Sequence, residues 1–178
     1  LALKPSSLGV ESKSITLQQF ETLRESAPAL NWVRTLGIVE ELRAIKDAGE
    51  IEAIRNSVRI AERAYEMFRS MLRPEDTEKE LADAMEGYLR RAGASGSAFP
   101  VIVGVGERSA LPHCQPSGKR VEEDDFLLLD WGARGPLYQS DLTRVFPAPD
   151  PGDAARRRQR AKVETRLRKI YTVVLEAQ

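Results

Sequence analysis

The stretch DWGARGPLYQSDLTR, residues 130–144, decides how this chain is read. It follows the apolar run FLLL at 126–129 and continues into VF, so Gly135 and Pro136 lie between two segments of strand character, as in a β-hairpin. A two-residue turn on that pair, with Gly in the first central position as a type II′ turn requires, would set Asp130 directly opposite Asp141. Their Cβ atoms would then stand about 4.5 to 5.5 Å apart. A bulge or a longer loop would make the pair diagonal. The bland reading is a polar hairpin with both acids in water. The run 126–129 speaks against it, because it is apolar on both faces and predicts a strand covered on both sides, where an acid is poorly hydrated. A cation relieves both problems. Carboxylate oxygens suit divalent ions such as Mg, Mn or Zn, and two facing carboxylates can bridge metals roughly 3.5 to 4 Å apart. Two acids do not complete such a site, and His113 is the only histidine of the 178 residues. Either His113 is a ligand, or the remaining ligands lie beyond Gln178.

Upstream, GVESKSIT at 9–16 reads as a short strand and LQQFETLRESA as a helix with Leu17, Phe20 and Leu23 on one side. WVRTLGIVEELRAIKDAGE at 32–50 reads as a strand and a charged connection. Residues 1–45 thus form the tail of one domain, and residues 46–178 belong to another. The strongest helix carries Ile51, Ile54, Val58, Ala61, Tyr65, Phe68 and Leu72 at alternating spacings of three and four. Pro74 interrupts it, and Thr77 with Glu80 makes a capping box for a second helix bearing Leu81, Met85, Tyr88 and Leu89 and ending at Gly93. FPVIVGVG from Phe99 is a strand, followed by a loop through ERSALPHCQPSGK and then the hairpin. Pro147, Pro149 and Pro151 end the hairpin, and Val163, Leu167, Ile170 and Val174 mark a last helix that runs to the end without a stop signal. With no starting Met and no such stop, the chain reads as a fragment.

Lys plus Arg and Asp plus Glu are both 27, so no global field draws the chain to nucleic acid or anionic membrane. The longest run of large apolar residues, FLLL, is far short of the roughly 20 needed to span a bilayer. The first residues lack the pattern of a secretory signal, and the single cysteine, Cys114, has no partner in the chain, so a reducing, cytoplasmic setting is expected.

SALPHC (109–114), DWGA (130–133) and SDLTR (140–144) together resemble the pita-bread metallopeptidases, in particular aminopeptidase P and prolidase. The order is the family's, and the separations of seventeen residues from His113 to Asp130 and eleven to Asp141 agree with it. LRAIKDAGEIEAIRNSVRIAERAYE resembles the family's first helix and its lead-in, and GVES the end of a creatinase-type N-terminal domain. The resemblance implies an α/β (α+β) fold: the N-terminal half of a pita-bread domain, two helices on an antiparallel sheet, preceded by a creatinase-like remnant. It implies a homodimer that cleaves peptide bonds preceding proline with two divalent metal ions, Mn foremost and Co or Zn as alternatives. Asp130 and Asp141 match the two metal-ligand aspartates. His113 matches the loop histidine that helps bind substrate or stabilise the tetrahedral intermediate, and not the ligand histidine. One further His and two Glu complete the family's ligand set and are absent from this chain, which alone would be inactive. Cys114 stands where relatives often have Gly, which bears on the shape of the substrate pocket.

Rival readings remain. A Cys114 and His113 nucleophile pair is poorly placed, because neighbours on extended backbone point opposite ways. DWG would suit a kinase metal site, but no HRD-type or glycine-rich loop accompanies it, and GVGERS lacks the third Gly or the Lys of nucleotide loops. RRRQRAK could touch RNA, but its interleaving with Val163, Leu167 and Ile170 favours a solvated helix face. The second function class is a metal-free binding module of the same fold, against which the presence of both aspartates argues.

Overall fold

Thr77 caps its helix as the sequence predicts. Its hydroxyl accepts the Glu80 N–H at 3.2 Å, while the Glu80 carboxylate accepts the Thr77 N–H at 2.9 Å. The structure, a computed structural model, describes residues 5–149, 152 and 154–178. It divides into two compact units, Leu1–Asp47 and Ala48–Gln178.

In the first unit, β1 (Ser7–Glu11) pairs in parallel with β2 (Asn31–Thr35), and α1 (Leu17–Ser26) connects them. Phe20 of α1 meets Trp32 of β2 edge to face at 6.0 Å. The predicted strand at 9–16 is shorter than expected, because Ser12 to Ile15 turn the chain and Thr16 caps α1 through a box with Gln19. The charged connection after β2 contains a short helix, α2 (Ile38–Ala44), none of whose residues is buried.

The second unit is built on the two predicted helices, α3 (Ala48–Met71) and α4 (Glu78–Arg91), packed on an antiparallel sheet in the order β3 (Ile102–Val105), β4 (Phe126–Trp131), β5 (Leu142–Pro147). Short 3-10 turns at Gly106–Ala110 and Val121–Glu123 lie between β3 and β4. The inner face of the sheet presents Val103, Val105, Leu127, Leu129, Trp131 and Phe146 to Ile60, Ala64 and Phe68 of α3 and Leu81, Met85 and Leu89 of α4. The buried stripe of α3 is rotated from the predicted one. Ser57, Ile60, Ala61, Ala64 and Phe68 are buried while Ile51 is exposed, since small side chains let the helix sit close to the sheet. There the Trp131 indole stacks on Tyr65 at 5.0 Å and donates to the Ala61 carbonyl at 3.0 Å. Gly93 takes φ 108 after α4, as a helix-ending glycine does.

β4 departs from the prediction of a strand covered on both faces. Leu127, Leu129 and Trp131 are buried, but Phe126, Leu128 and Asp130 are only half-buried. Pro147 is the last residue of β5 and Pro149 follows it; Pro151 lies outside the described residues. The last helix, α5 (Ala154–Ala177), forms as expected, but not all of the RRRQRAK run is solvated. Arg160 is buried, and its guanidinium donates to the carbonyls of Ala148, at 2.9 Å, and Pro149.

Candidate metal centre

The hairpin is longer-looped than a two-residue turn. Arg134 pairs with Gln139, the Gly135 N–H donates to the Tyr138 carbonyl at 3.1 Å, and Gly135 does not take the positive φ that a type II′ turn requires. The register shifts accordingly. Asp130 lies opposite Thr143, not Asp141, so the expected face-to-face pair of carboxylates is corrected to a diagonal one. The cause is tertiary. The tip docks on α3, where the Ser57 hydroxyl donates to the Tyr138 carbonyl at 2.6 Å and the Tyr138 hydroxyl meets Glu50 at 2.6 Å. A Cβ on Gly135 would overlap the Ser57 hydroxyl.

Just beyond the tip, Ser140 is buried. Its hydroxyl accepts the Ala133 N–H at 2.9 Å and donates to the Ser57 carbonyl at 3.1 Å. Gly132 allows this crossing, because a Cβ there would strike the Ser140 carbonyl. The peptide that carries Asp141 is thereby locked between strand and helix, and Asp141 itself is exposed.

Asp130 accepts a hydrogen bond from the Thr143 hydroxyl at 2.9 Å. Burial raises its pKa above the ordinary carboxylate value, the Thr143 bond opposes the rise, the charge of Asp141 adds to it, and His113 acts against it. Asp141 and His113 thus both act electrostatically on Asp130. A groove of about 750 Å³ runs between the hairpin and α5, lined by Phe126, Leu128, Asp141, Leu142, Ile170, Tyr171 and others.

His113 is exposed on the loop after β3, whereas the adjacent Cys114 is buried and accepts from Arg108 at 3.3 Å. The two do not share a face, and Cys114 points into the loop's own packing.

As a donor set, two carboxylates have the right chemistry for a divalent ion but are too few to enclose one. Among the described residues no cluster of three or more His, Cys, Asp or Glu side chains is placed to hold a metal ion. The residues therefore fit part of a metal centre.

Residues 52–178 match the family model described as metallopeptidase family M24, and the chain belongs to that family. It is 32% identical over 171 residues to the Xaa-Pro dipeptidase of Pyrococcus furiosus, covering 96% of this chain and 45% of that protein. The crystal structure of X-Pro aminopeptidase from Thermotoga maritima matches with a TM-score of 0.82 at 33% identity, over 97% of this chain and 46% of the other. The Xaa-Pro dipeptidase from Bacillus anthracis matches with a TM-score of 0.76 at 35% identity, over 97% and 45%. The mixed α/β architecture with its antiparallel sheet is that of the pita-bread fold, and the chain spans about half the length of the relatives it matches. No helix of the described residues is long and apolar enough to cross a membrane.

Sequence reasoning missed Glu78, Ser57 and Thr143 as supports of this region. Thr143 lies inside the SDLTR motif and was open to discovery through its register; Glu78 and Ser57 carry no local signal, because their partners are 27 or more residues away.

Proposed function

We propose that this chain contributes part of the active site of a di-metal peptidase cleaving bonds that precede proline. The observation that carries the reading is the diagonal placement of Asp130 and Asp141 across the hairpin, with Asp141 and His113 both acting electrostatically on Asp130. In this reading Asp130 and Asp141 hold two divalent ions, Mn in preference to Co or Zn. Thr143 orients the Asp130 carboxylate by its hydrogen bond, and Ser140 fixes the backbone before Asp141. When bound, such ions would polarise the scissile carbonyl and lower the pKa of a bound water toward neutrality. His113 donates from its imidazole to the substrate, orienting it and stabilising the oxygen as negative charge develops there. The half-covered apolar groove beside the acids, with Phe126, Leu128 and Leu142, gives the peptide a place to lie. Residues 1–45 are read as the remnant of a creatinase-like domain, the whole protein as a cytoplasmic homodimer, and the 178 residues by themselves as weakly metal-binding and inactive.

The test is hydrolysis of an Xaa-Pro dipeptide and of a longer peptide with proline in second position, by the whole protein supplied with Mn. Activity that disappears in Asp130→Asn and Asp141→Asn supports the reading, and the preferred peptide separates dipeptidase from aminopeptidase. A whole protein that is inactive with Mn, Co and Zn alike overturns it.

A further inference from the structure

Glu78 has partners that its place in α4 does not explain. It is the first residue of the helix, and its carboxylate is wholly buried although it is charged. Four donors converge on it: the Val105 N–H at 2.8 Å, Arg108 Nε at 3.0 and 2.9 Å from the two oxygens, the Ser117 N–H at 2.9 Å and the Ser117 hydroxyl at 2.7 Å. Those donors come from both ends of the loop between β3 and the second 3-10 turn. Arg108 continues the chain of contacts, because its Nη2 donates to the Gln115 carbonyl at 2.7 Å and to Cys114 Sγ at 3.3 Å.

The residues before and after His113 are therefore clamped to one buried carboxylate, while His113 itself stays exposed. Its backbone is at φ 51, and among the described residues it is the non-glycine residue with positive φ. Such a conformation is strained for a residue with a side chain and persists only where the surroundings impose it. Stability alone is a poor account of the clamp, since a buried ion pair often stabilises no more than apolar packing of similar volume. What an ion pair with four fixed donors supplies is a single loop geometry.

We propose that Glu78 is a positioning residue for His113, setting through Arg108 and Ser117 the loop conformation that presents the imidazole to substrate. This rests on the reading of His113 as a substrate-contacting group. The test uses the whole protein with Mn and an Xaa-Pro dipeptide. Glu78→Gln and Arg108→Ala are each measured alone and combined with His113→Ala, with Mn affinity followed by calorimetry. Each single change is expected to lower kcat about 10- to 100-fold while Mn affinity stays within about twofold. The combined variants should lose no more than His113→Ala alone, because placement of an absent imidazole has no effect. Fully additive losses, or a loss of Mn affinity parallel to activity, would overturn the proposal. If Glu78→Gln does not fold, Arg108→Ala carries the same cycle, its side chain being 28% exposed. The imidazole resonance of His113, assigned by its disappearance in His113→Ala, gives a readout independent of turnover. It should move in both single variants, and an unmoved resonance overturns the link. If the unaltered protein cleaves no Xaa-Pro peptide, the functional reading fails while the resonance still decides whether Glu78 sets His113.

Discussion

Thr143 faces Asp130 directly across the β4–β5 ladder, and its hydroxyl donates to Asp130 Oδ1 at 2.9 Å. In the proposed metal site, this hydrogen bond would orient the Asp130 carboxylate toward the ion. Thr143→Val preserves the β-branched shape and removes the donor. Mn affinity or turnover of the whole protein should fall roughly 10- to 100-fold, as for loss of other such supports. Calorimetric Mn titration of the variant and the parent checks this, and equal affinities with equal turnover would refute it.

Ser57→Ala removes the hydroxyl that bonds the Tyr138 carbonyl at the hairpin tip. The loss should be about 0.5–1.5 kcal/mol, the net worth of one hydrogen bond, because the Tyr138 carbonyl keeps the Gly135 N–H. Urea unfolding should show a lower midpoint with an unchanged slope.

Gly132→Ala should be among the most harmful single changes to the hairpin. A Cβ there meets the backbone carbonyl of Ser140, and only movement of one strand relieves the overlap. Because that carbonyl precedes Asp141, the variant should lose activity even at temperatures where it remains folded. Circular dichroism beside a peptidase assay separates the two effects.

Glu78 governs a pH dependence. Burial opposes its ionisation, but the Val105 N–H, Ser117 and Arg108 outweigh that and hold its pKa below the ordinary value. A carboxylate depressed in the folded state adds stability that is present above its unfolded pKa and is lost as pH falls through the folded pKa. The difference in Tm between the parent and Glu78→Gln should therefore be widest near neutrality and should narrow in acid, below the usual carboxylate range. Thermal scans from pH 7 to pH 3 check this, and a gap independent of pH would count against an ionised Glu78.

Much of the second unit was legible because its signals are local. The spacing of apolar residues in α3 and α4, the Thr77 and Glu80 box, Gly93, and the β-branched run before the loop each act within a few residues. Asp130 was read as part of the hairpin strand, as β4 has it, but its partner across the ladder was not Asp141. Pairing depends on the turn, and a four-residue tip, Gly135 to Tyr138, is selected by Ser57 on a distant helix. The face of β4 was misjudged for a related reason. Leu128 and Phe126 are apolar, yet they lie on the half-covered side beside the groove, and composition does not say which side a helix covers. Glu78 shows the same limit more sharply. An acid in the first helical turn ordinarily complements the helix dipole in water, and nothing nearby in the chain marks this one as the buried member of the pair.

By itself, then, the sequence determined most of the elements, the order of its chemical groups and the motifs by which it resembles its family. Those depend on periodicity, caps and the identity of side chains, which act over short stretches of chain. Only the tertiary structure decided that Thr143 faces Asp130, that Asp141 is diagonal to it, and that Glu78 clamps the loop of His113. Such relationships are settled by hydrogen bonds between segments far apart in the chain. For the Glu78 clamp their strength comes from burial, which exists only once helices and sheet have packed.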